Sequence, residues 1–165
     1  MGYPSVFGGQ AVAANFAFGS PGGPQGLWCD SPNPIPASPL VAQAMTVAFG
    51  YCTTIDGITF YPLSTLAPIY AGSDGSAEKV TPASVTGKGL PGYDQVSFTA
   101  DFADAHGKGD YIMSATFGLQ EALNYMGDKG GGKVIIDEQW VNLGGTTTIK
   151  NAATLPTGVT IVDNR

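Results

Sequence analysis

The most strongly patterned stretch of this 165-residue chain covers residues 110–137 and reads DYIMSATFGLQEALNYMGDKGGGKVIID. Apolar residues recur in it at helical spacing, which predicts one amphipathic helix over about residues 114–127. Ser114 or Thr116 is expected to cap this helix, because a hydroxyl oxygen can accept a hydrogen bond from a free backbone N–H of the first turn. The stretch therefore predicts a local folding unit that starts with a capped helix.

The second half of the same stretch predicts the end of the helix and a strand after it. Gly127 and the glycines at 130–132 are expected to stop the helix, since glycine adopts the left-handed C-cap conformation at low cost. The apolar, β-branched run at 134–136 is typical of a strand that is covered on both faces. The unit is thus expected to be a helix, a glycine turn and a buried strand.

The composition predicts a mainly β fold. Charged residues make up only 12% of the chain, yet its hydrophobic share of 43% is enough for a core, so simple disorder is excluded. With 24 glycines and 12 prolines the chain is unsuited to a helical bundle. Its net charge is −6 and its seven basic residues are scattered, which argues against a direct nucleic-acid partner.

The chain is predicted to have three parts. Residues 1–39 form an extended assembly arm rich in glycine and proline, residues 40–109 a β-rich body, and residues 110–165 a module of one helix and short strands. Proline fixes φ and removes a backbone donor, so the arm is not expected to form a continuous helix or a central strand.

The arm is almost uncharged but carries many large apolar side chains. Asp30 is the only charged side chain before Asp56, whereas a solvated tail usually carries charge and few aromatics. The arm could wrap its own domain or lie on a neighbouring subunit, and the small size of the domain favours the neighbour. The residues expected at this interface are Tyr3, Phe7, Phe16, Phe18, Leu27 and Trp28.

Strand and turn signals divide the body. Asp56 and Gly57 form a strong hairpin signal between two apolar runs. Pro82 limits the run around it to an edge strand, because proline cannot donate to a central ladder. The expected strands are residues 46–52, 58–61, 79–86 and 95–102.

Three sets of residues in the C-terminal segment carry a resemblance. They are Leu119 to Leu123 (LQEAL), Gly130 to Ile136 (GGGKVII) and Leu155 to Ile161 (LPTGVTI). In this order they resemble the opening of right-handed β-helix proteins of the pectate-lyase type, a module that is similar to one in bacteriophage tailspikes. The resemblance implies a capping helix followed by rung strands, in a structural protein of a phage virion.

The strands predicted in this segment, residues 134–136, 146–149 and 159–162, are too few to bury a β-helix core, because such cores need several stacked coils. Isoleucines that recur in these strands are expected to form one row. Part of the helix face, or this row, is therefore expected to be buried between subunits. The residues concerned are Leu119, Leu123 and Met126 on the helix, and Ile136, Ile149 and Ile161 on the strands.

Candidate chemistry is sparse. Asp101, Asp104, His106 and Asp110 are oxygen and nitrogen ligands in one short segment, but they lack EF-hand spacing, so a solvated acidic loop is the favoured interpretation. A glycosidase pair could be assembled from distant carboxylates such as Asp137 and Asp163. We predict no catalytic residue, no metal site and no cofactor.

Cys29 and Cys52 have no metal-binding spacing. A disulfide between them is one possibility, and two buried thiols of a protein made in a reducing cytoplasm is the favoured one. The N-terminus lacks the features of a secretory signal, and no apolar run is long enough to span a membrane, so no membrane partner is expected.

The function predicted from these features is non-enzymatic. The chain is expected to be a structural component of a phage virion, in a head-decoration, head-fibre or tail role, made in the host cytoplasm. It would assemble with itself through the uncharged arm, as a trimer by resemblance to tailspikes, and with other virion proteins. The alternatives are a carbohydrate-binding or carbohydrate-cleaving module related to β-helix depolymerases and a cellular structural protein such as a surface-layer or filament subunit.

Overall fold

The computed structural model describes residues 9–17, 27–49, 54–55, 58–59, 64–72, 77–86, 95–146 and 153–165. The chain divides into two compact units, of which unit 1 comprises Met1–Ala17 and Thr116–Arg165 and unit 2 comprises Phe18–Ala115. These boundaries differ from the predicted arm, body and module, because the described part of the N-terminal segment is shared between the two units. The fold is rich in strands and has few helices, as predicted.

The elements follow one another in this order: β1 (Gln10–Val12), a 3-10 helix (Ala13–Phe16), β2 (Leu27–Cys29), β3 (Gln43–Phe49), β4 (Thr54–Ile55), β5 (Ile58–Thr59), β6 (Ile69–Gly72), β7 (Glu78–Val80), β8 (Ser84–Thr86), β9 (Gln95–Ala100), β10 (Tyr111–Ser114), α1 (Leu119–Asp128), β11 (Gly132–Ile136), α2 (Glu138–Asn142) and β12 (Val159–Asp163).

Unit 1 is built on a three-stranded parallel sheet with the order β1–β11–β12. Val134 in the central strand lies opposite Ala11 on one side and Ile161 on the other. Helix α1 packs against this sheet and the 3-10 helix. Val134 and Ile136 are fully buried, which confirms a buried strand at this position, whereas Ile135 is half-buried.

Helix α1 begins later than predicted, at Leu119, although Thr116 does cap it. The Thr116 hydroxyl oxygen accepts the backbone N–H of Gln120 at 3.0 Å, while Ser114 lies in β10. Phe117 and Gly118 both have positive φ, at 56° and 93°, and residues in this conformation do not continue a right-handed helix.

The end of α1 is a Schellman turn. The N–H of Gly131 donates to the carbonyl of Met126 at 2.9 Å, and the N–H of Gly130 donates to that of Gly127 at 3.0 Å. Gly130, with φ of 95°, is the residue that stops the helix. Gly127 was expected to end the helix but lies within it, where a Cβ atom would come within 2.6 Å of the Pro156 side chain.

A second α-helix, α2, was missed by the sequence analysis. Asp137 ends β11 instead of continuing it, and its Oδ1 accepts the backbone N–H of Trp140 at 3.1 Å as an N-cap. Trp140 is fully buried, and its indole N–H donates to the carbonyl of Thr116 at 3.1 Å. An aspartate followed by a glutamate and an apolar residue was the available signal for this helix start.

Unit 2 contains an antiparallel seven-stranded sheet with the order β7–β6–β10–β2–β3–β9–β8. Its two edge strands are joined by residues 81–83 alone. The four residue steps from Val80 to Ser84 span at most about 14 Å, whereas the edges of a flat seven-stranded sheet lie about 29 Å apart. The sheet is therefore rolled, and it encloses a core of Cys29, Ile35, Met45, Val47, Ile69, Ala71, Val80, Phe98, Ala100, Phe102 and Ile112.

Residues 79–86 were predicted to form one edge strand, and they form two, because the chain turns at the buried Pro82. Both β7 and β8 are edge strands, as the proline predicted. A second prediction, which concerned the arm, was wrong. Leu27 and Trp28 belong to β2, a central strand, although the arm was expected to contain none. The prolines at 24 and 32 flank β2 and leave its own N–H groups free to pair.

Other predictions were close. The hairpin signal at residues 56–57 lies outside the described residues, but β4 and β5 on either side of it pair antiparallel. Strands β3 and β9 overlap the predicted runs, and β12 matches the predicted C-terminal strand. Cys29 carries a free, buried thiol, and Cys52 lies outside the described residues.

Candidate functional site: a buried histidine between two carboxylates

The imidazole of His106 lies between two carboxylates in unit 2. Its Nε2 is 2.6 Å from Oε1 of Glu78, and its Nδ1 is 3.1 Å from Oδ2 of Asp110. The His106 side chain is 2% exposed, and those of Glu78 and Asp110 are 12% and 24% exposed. The neutral ring has one N–H, so only the doubly protonated ring offers a donor to both carboxylates.

The backbone positions the three residues at one end of the rolled sheet. Glu78 is the first residue of β7, and Asp110 directly precedes β10. His106 lies on the loop from β9 to β10, and its N–H and carbonyl exchange hydrogen bonds with Ile35 at 2.9 and 2.8 Å. Two chain segments distant in sequence thus meet at the histidine.

Glu78 fastens this loop further. Its two carboxylate oxygens accept the backbone N–H groups of Ala103 at 2.8 Å and Asp104 at 3.0 Å. Burial raises the pKa of Glu78, but the bonds from Ala103, His106 and Asp104, with the charge of His106, together hold that pKa below its ordinary value. Glu78 is therefore the charged acceptor that ties the loop to the sheet.

Glu78, His106 and Asp110 form a cluster that we call the clamp, and the surroundings of His106 suit a structural role. The Phe102 ring meets the imidazole edge-on with centroids 4.9 Å apart. Both ring nitrogens are occupied and the ring is buried, so in this conformation the histidine has no free nitrogen to offer a substrate. The cluster's evident action is to hold residues 101–110 and the segment around Ile35 in place.

The acidic segment around His106 was expected to be a solvated loop, and this holds for the exposed side chains of Asp101 and Asp104. The expectation was wrong for His106, which is buried, and for Asp110, which is half-buried, because these two side chains pair with each other in the clamp. Glu78 was missed, because its position next to His106 depends on the pairing of β7 with β6 and leaves no local signal. Among the described residues no group of three or more His, Cys, Asp or Glu side chains is arranged to hold a metal ion.

Unit 1 contains a second buried polar cluster. Oε2 of Glu121, in the first turn of α1, accepts the Thr116 hydroxyl at 3.3 Å, and Oε1 has no hydrogen-bond partner among the described residues. Burial raises the pKa of Glu121 to about 8, and bonds from its own backbone N–H and from Thr116 offset only part of that rise. Nearby on the helix, Gln120 forms a pair of 3.0 Å hydrogen bonds with the backbone of Thr154.

The residues predicted to form the arm interface lie in different parts of the chain's own structure or outside the described residues. Phe16 is 1% exposed in unit 1, where its ring packs on Tyr125 with centroids 5.2 Å apart. Its burial is therefore accounted for within its own chain. Leu27 and Trp28 lie in β2. Tyr3, Phe7 and Phe18 lie outside the described residues.

The predicted C-terminal contacts mostly lie in the core of unit 1. Leu119, Leu123, Met126 and Ile136 are at most 2% exposed within the single chain, so this face needs no second subunit to cover it. Ile161 is half-buried, and Ile149 lies outside the described residues. Ile136 and Ile161 are not opposite each other, since Ile136 lies opposite Asp163.

The carboxylates considered for a glycosidase both have structural partners. Asp137 caps α2, and Oδ2 of Asp163 accepts the Arg165 guanidinium at 2.7 Å. No helix in the described part of the chain is long and apolar enough to cross a membrane.

The chain matches no protein-family model, no curated protein and no solved structure.

Proposed function

We propose that this protein is a non-enzymatic structural component of a phage virion, in a head-decoration, head-fibre or tail role, that assembles as a homo-oligomer. The observation that carries the proposal is the parallel sheet β1–β11–β12 with α1 packed against it. Gly132 lies opposite Val159 and Ile136 opposite Asp163, so the chain returns in parallel to the strand it has just left. Successive coils of a β-helix are stacked in this way.

The clamp at His106 agrees with a structural role. It uses a buried histidine and two carboxylates to hold a loop, an arrangement that favours a fixed surface over a reacting group. A virion protein has to present such surfaces to its neighbours, and a trimer with an axis near unit 1 is the assembly implied by the resemblance to tailspikes.

The first test is the native mass of the purified full-length chain, measured by analytical ultracentrifugation over a wide concentration range. Deletion of residues 1–39 is unsuitable, because it would remove β1 and β2 from the two sheets. We expect a discrete oligomer, and a monomer at all concentrations would overturn the assembly part of the proposal.

The second test concerns location. Mass spectrometry of purified particles of the phage that encodes the chain is expected to detect it at a stoichiometric copy number. Its absence from particles, with normal expression in infected cells, would remove the virion assignment.

A carbohydrate-related function is the second candidate. The observation in its favour is that β11 and β12 bring Asp137 and Asp163 to the same end of adjacent strands. Release of reducing sugar from a panel of capsule polysaccharides would support it, and the loss of that release in Asp163→Asn would locate the reaction.

A further inference from the structure

Residues 32–41 form an exposed segment that leads into β3 of unit 2; we call it the proline segment. Leu40 is 93% exposed and Val41 is 63% exposed. No other large apolar residue among the described ones is as exposed as Leu40, and the two lie side by side at the tip of one turn. Together they form a small contiguous apolar patch, and contiguous exposed apolar surface is a feature of interaction sites.

The segment is held in place by backbone hydrogen bonds to the loop between β9 and β10. Ile35 is buried, and both of its backbone groups pair with the clamped His106. The N–H of Ser38 donates to the carbonyl of Phe102 at 2.8 Å. Four prolines, at 32, 34, 36 and 39, fix φ along it. A segment this rigid loses little conformational entropy when it docks.

The absence of charge in the segment argues against two kinds of partner and is compatible with a second copy of the chain. Residues 31–55 contain no charged side chain, so the segment offers nothing to a phosphate backbone or an anionic membrane surface. The chain as a whole has a net charge of −6, so the net electrostatic interaction between two copies is repulsive. An uncharged, apolar segment is where like-charged copies can approach at the lowest electrostatic cost.

We infer that the proline segment is a contact between copies of this chain, with Leu40 and Val41 as its apolar anchors. The inference rests on the homo-oligomer of the proposed function and adds the surface that forms it. It uses residues at the junction of the predicted arm and body instead of the aromatic residues that sequence reasoning selected.

The test is the native mass of Leu40→Asp beside that of the wild-type chain. Leu66→Asp is the matched control, because Leu66 is 69% exposed and precedes β6, at the end of the sheet opposite to that from which β3 begins. Both variants place one added carboxylate on the surface, so both are expected to fold. We expect Leu40→Asp to weaken self-association at least tenfold, and Leu66→Asp to leave it within twofold.

Three outcomes are decisive. A wild-type oligomer that Leu40→Asp leaves intact overturns this inference while the proposed function stands. Equal weakening by both variants also overturns it, since the effect would then be one of net charge. A wild-type monomer removes the homo-oligomer itself, and with it this contact.

A photo-crosslinking residue placed at position 40 gives a second readout. We expect it to yield a covalent dimer of the full-length chain, with the crosslinked peptide from the second copy identified by mass spectrometry. An oligomer that gives no such dimer contradicts the inference even if Leu40→Asp proved unstable.

Discussion

The Glu121 carboxyl group is buried inside unit 1, and one of its oxygens has no hydrogen-bond partner in the part of the chain that the structure describes. Because its pKa rises from an ordinary 4.5 to about 8, the folded chain binds a proton more tightly than the unfolded chain does. The corresponding stabilisation is complete below pH 4.5 and is lost as pH rises through 8. Unit 1 therefore carries an uncompensated buried charge in alkaline solution.

We predict that the stability of Glu121→Gln relative to the wild type is higher at pH 9 than at pH 5. The change in the stability difference between these pH values should be roughly 3 to 5 kcal/mol, because each pKa unit corresponds to about 1.4 kcal/mol. Urea denaturation at both pH values measures it. Glu138→Gln, at an exposed position, is the control, and a difference independent of pH would contradict the prediction.

The pKa of Glu78 is shifted in the opposite direction to that of Glu121. Its folded-state pKa is lowered, so its contribution is present above the unfolded-state pKa and is lost as pH falls through the lower, folded-state value. Glu78→Gln should destabilise unit 2 at pH 7 by about 1–3 kcal/mol, since Ala103, Asp104 and His106 lose a charged acceptor.

That loss should shrink in acid, below the usual titration range of a glutamate, where the wild-type carboxylate is also protonated. Amide hydrogen exchange at Ala103 and Asp104 measures this destabilisation, and Asp101→Asn, a variant at an exposed site, is the control. Exchange rates unchanged by Glu78→Gln at pH 7 would show that the carboxylate does not hold the loop.

At the scale of elements, the junction between the 3-10 helix and α1 depends on Gly118. A Cβ atom there would lie 2.2 Å from the Ala13 carbonyl oxygen and 2.5 Å from the Ala17 nitrogen. Its φ of 93° is also one that L side chains rarely adopt. The two elements can therefore pack closely only with glycine at this position.

We predict that Gly118→Ala destabilises unit 1 by roughly 3 kcal/mol or more, through backbone strain and overpacking together. Gly158→Ala isolates the strain, because φ there is 80° but the nearest atom to a Cβ lies at 3.6 Å. It should cost about 1–2 kcal/mol. Equal losses in the two variants, measured by chemical denaturation, would contradict the packing argument.

At the scale of the whole molecule, unit 2 is a continuous insertion in unit 1. The chain leaves unit 1 after Ala17 and returns at Thr116, and the Gly118 backbone packs against that of Ala17. The unit 1 residues that flank the insert, Ala17 on one side and Gly118 near the other, are therefore close together, which is the arrangement that tolerates removal of an insert.

We predict that a chain in which Gly-Gly replaces residues 18–115 folds as unit 1. It keeps a single tryptophan, Trp140, which is buried and hydrogen-bonded in the full chain. Its fluorescence should therefore be blue-shifted and should move to longer wavelength on urea addition in one cooperative transition. An emission maximum already at that of exposed tryptophan would show that unit 1 needs the insert.

Local signals in the sequence were sufficient for several features. The glycines after α1, the β-rich class, the buried strand at 134–136 and the cap at Thr116 all depend on neighbours within a few residues, and each was predicted. His106 and Asp110 were singled out by the same local reasoning, but as members of a solvated loop and not of a buried cluster. Charge-free composition also marked the region that contains the proline segment.

Only the tertiary structure decided which distant segments meet. Strand β1 pairs with β11, although all residues of unit 2 lie between them in the sequence. In unit 2, β2 is a central strand, and Glu78 forms a hydrogen bond with His106. Periodicity and propensity describe one segment at a time, whereas these contacts depend on which strand edges pair and on how the sheet rolls. For that reason the sequence predicted one continuous arm, whereas residues 9–17 and 27–29 of that segment lie in the sheets and the 3-10 helix of their own chain, and residues 32–39 form a surface segment before β3.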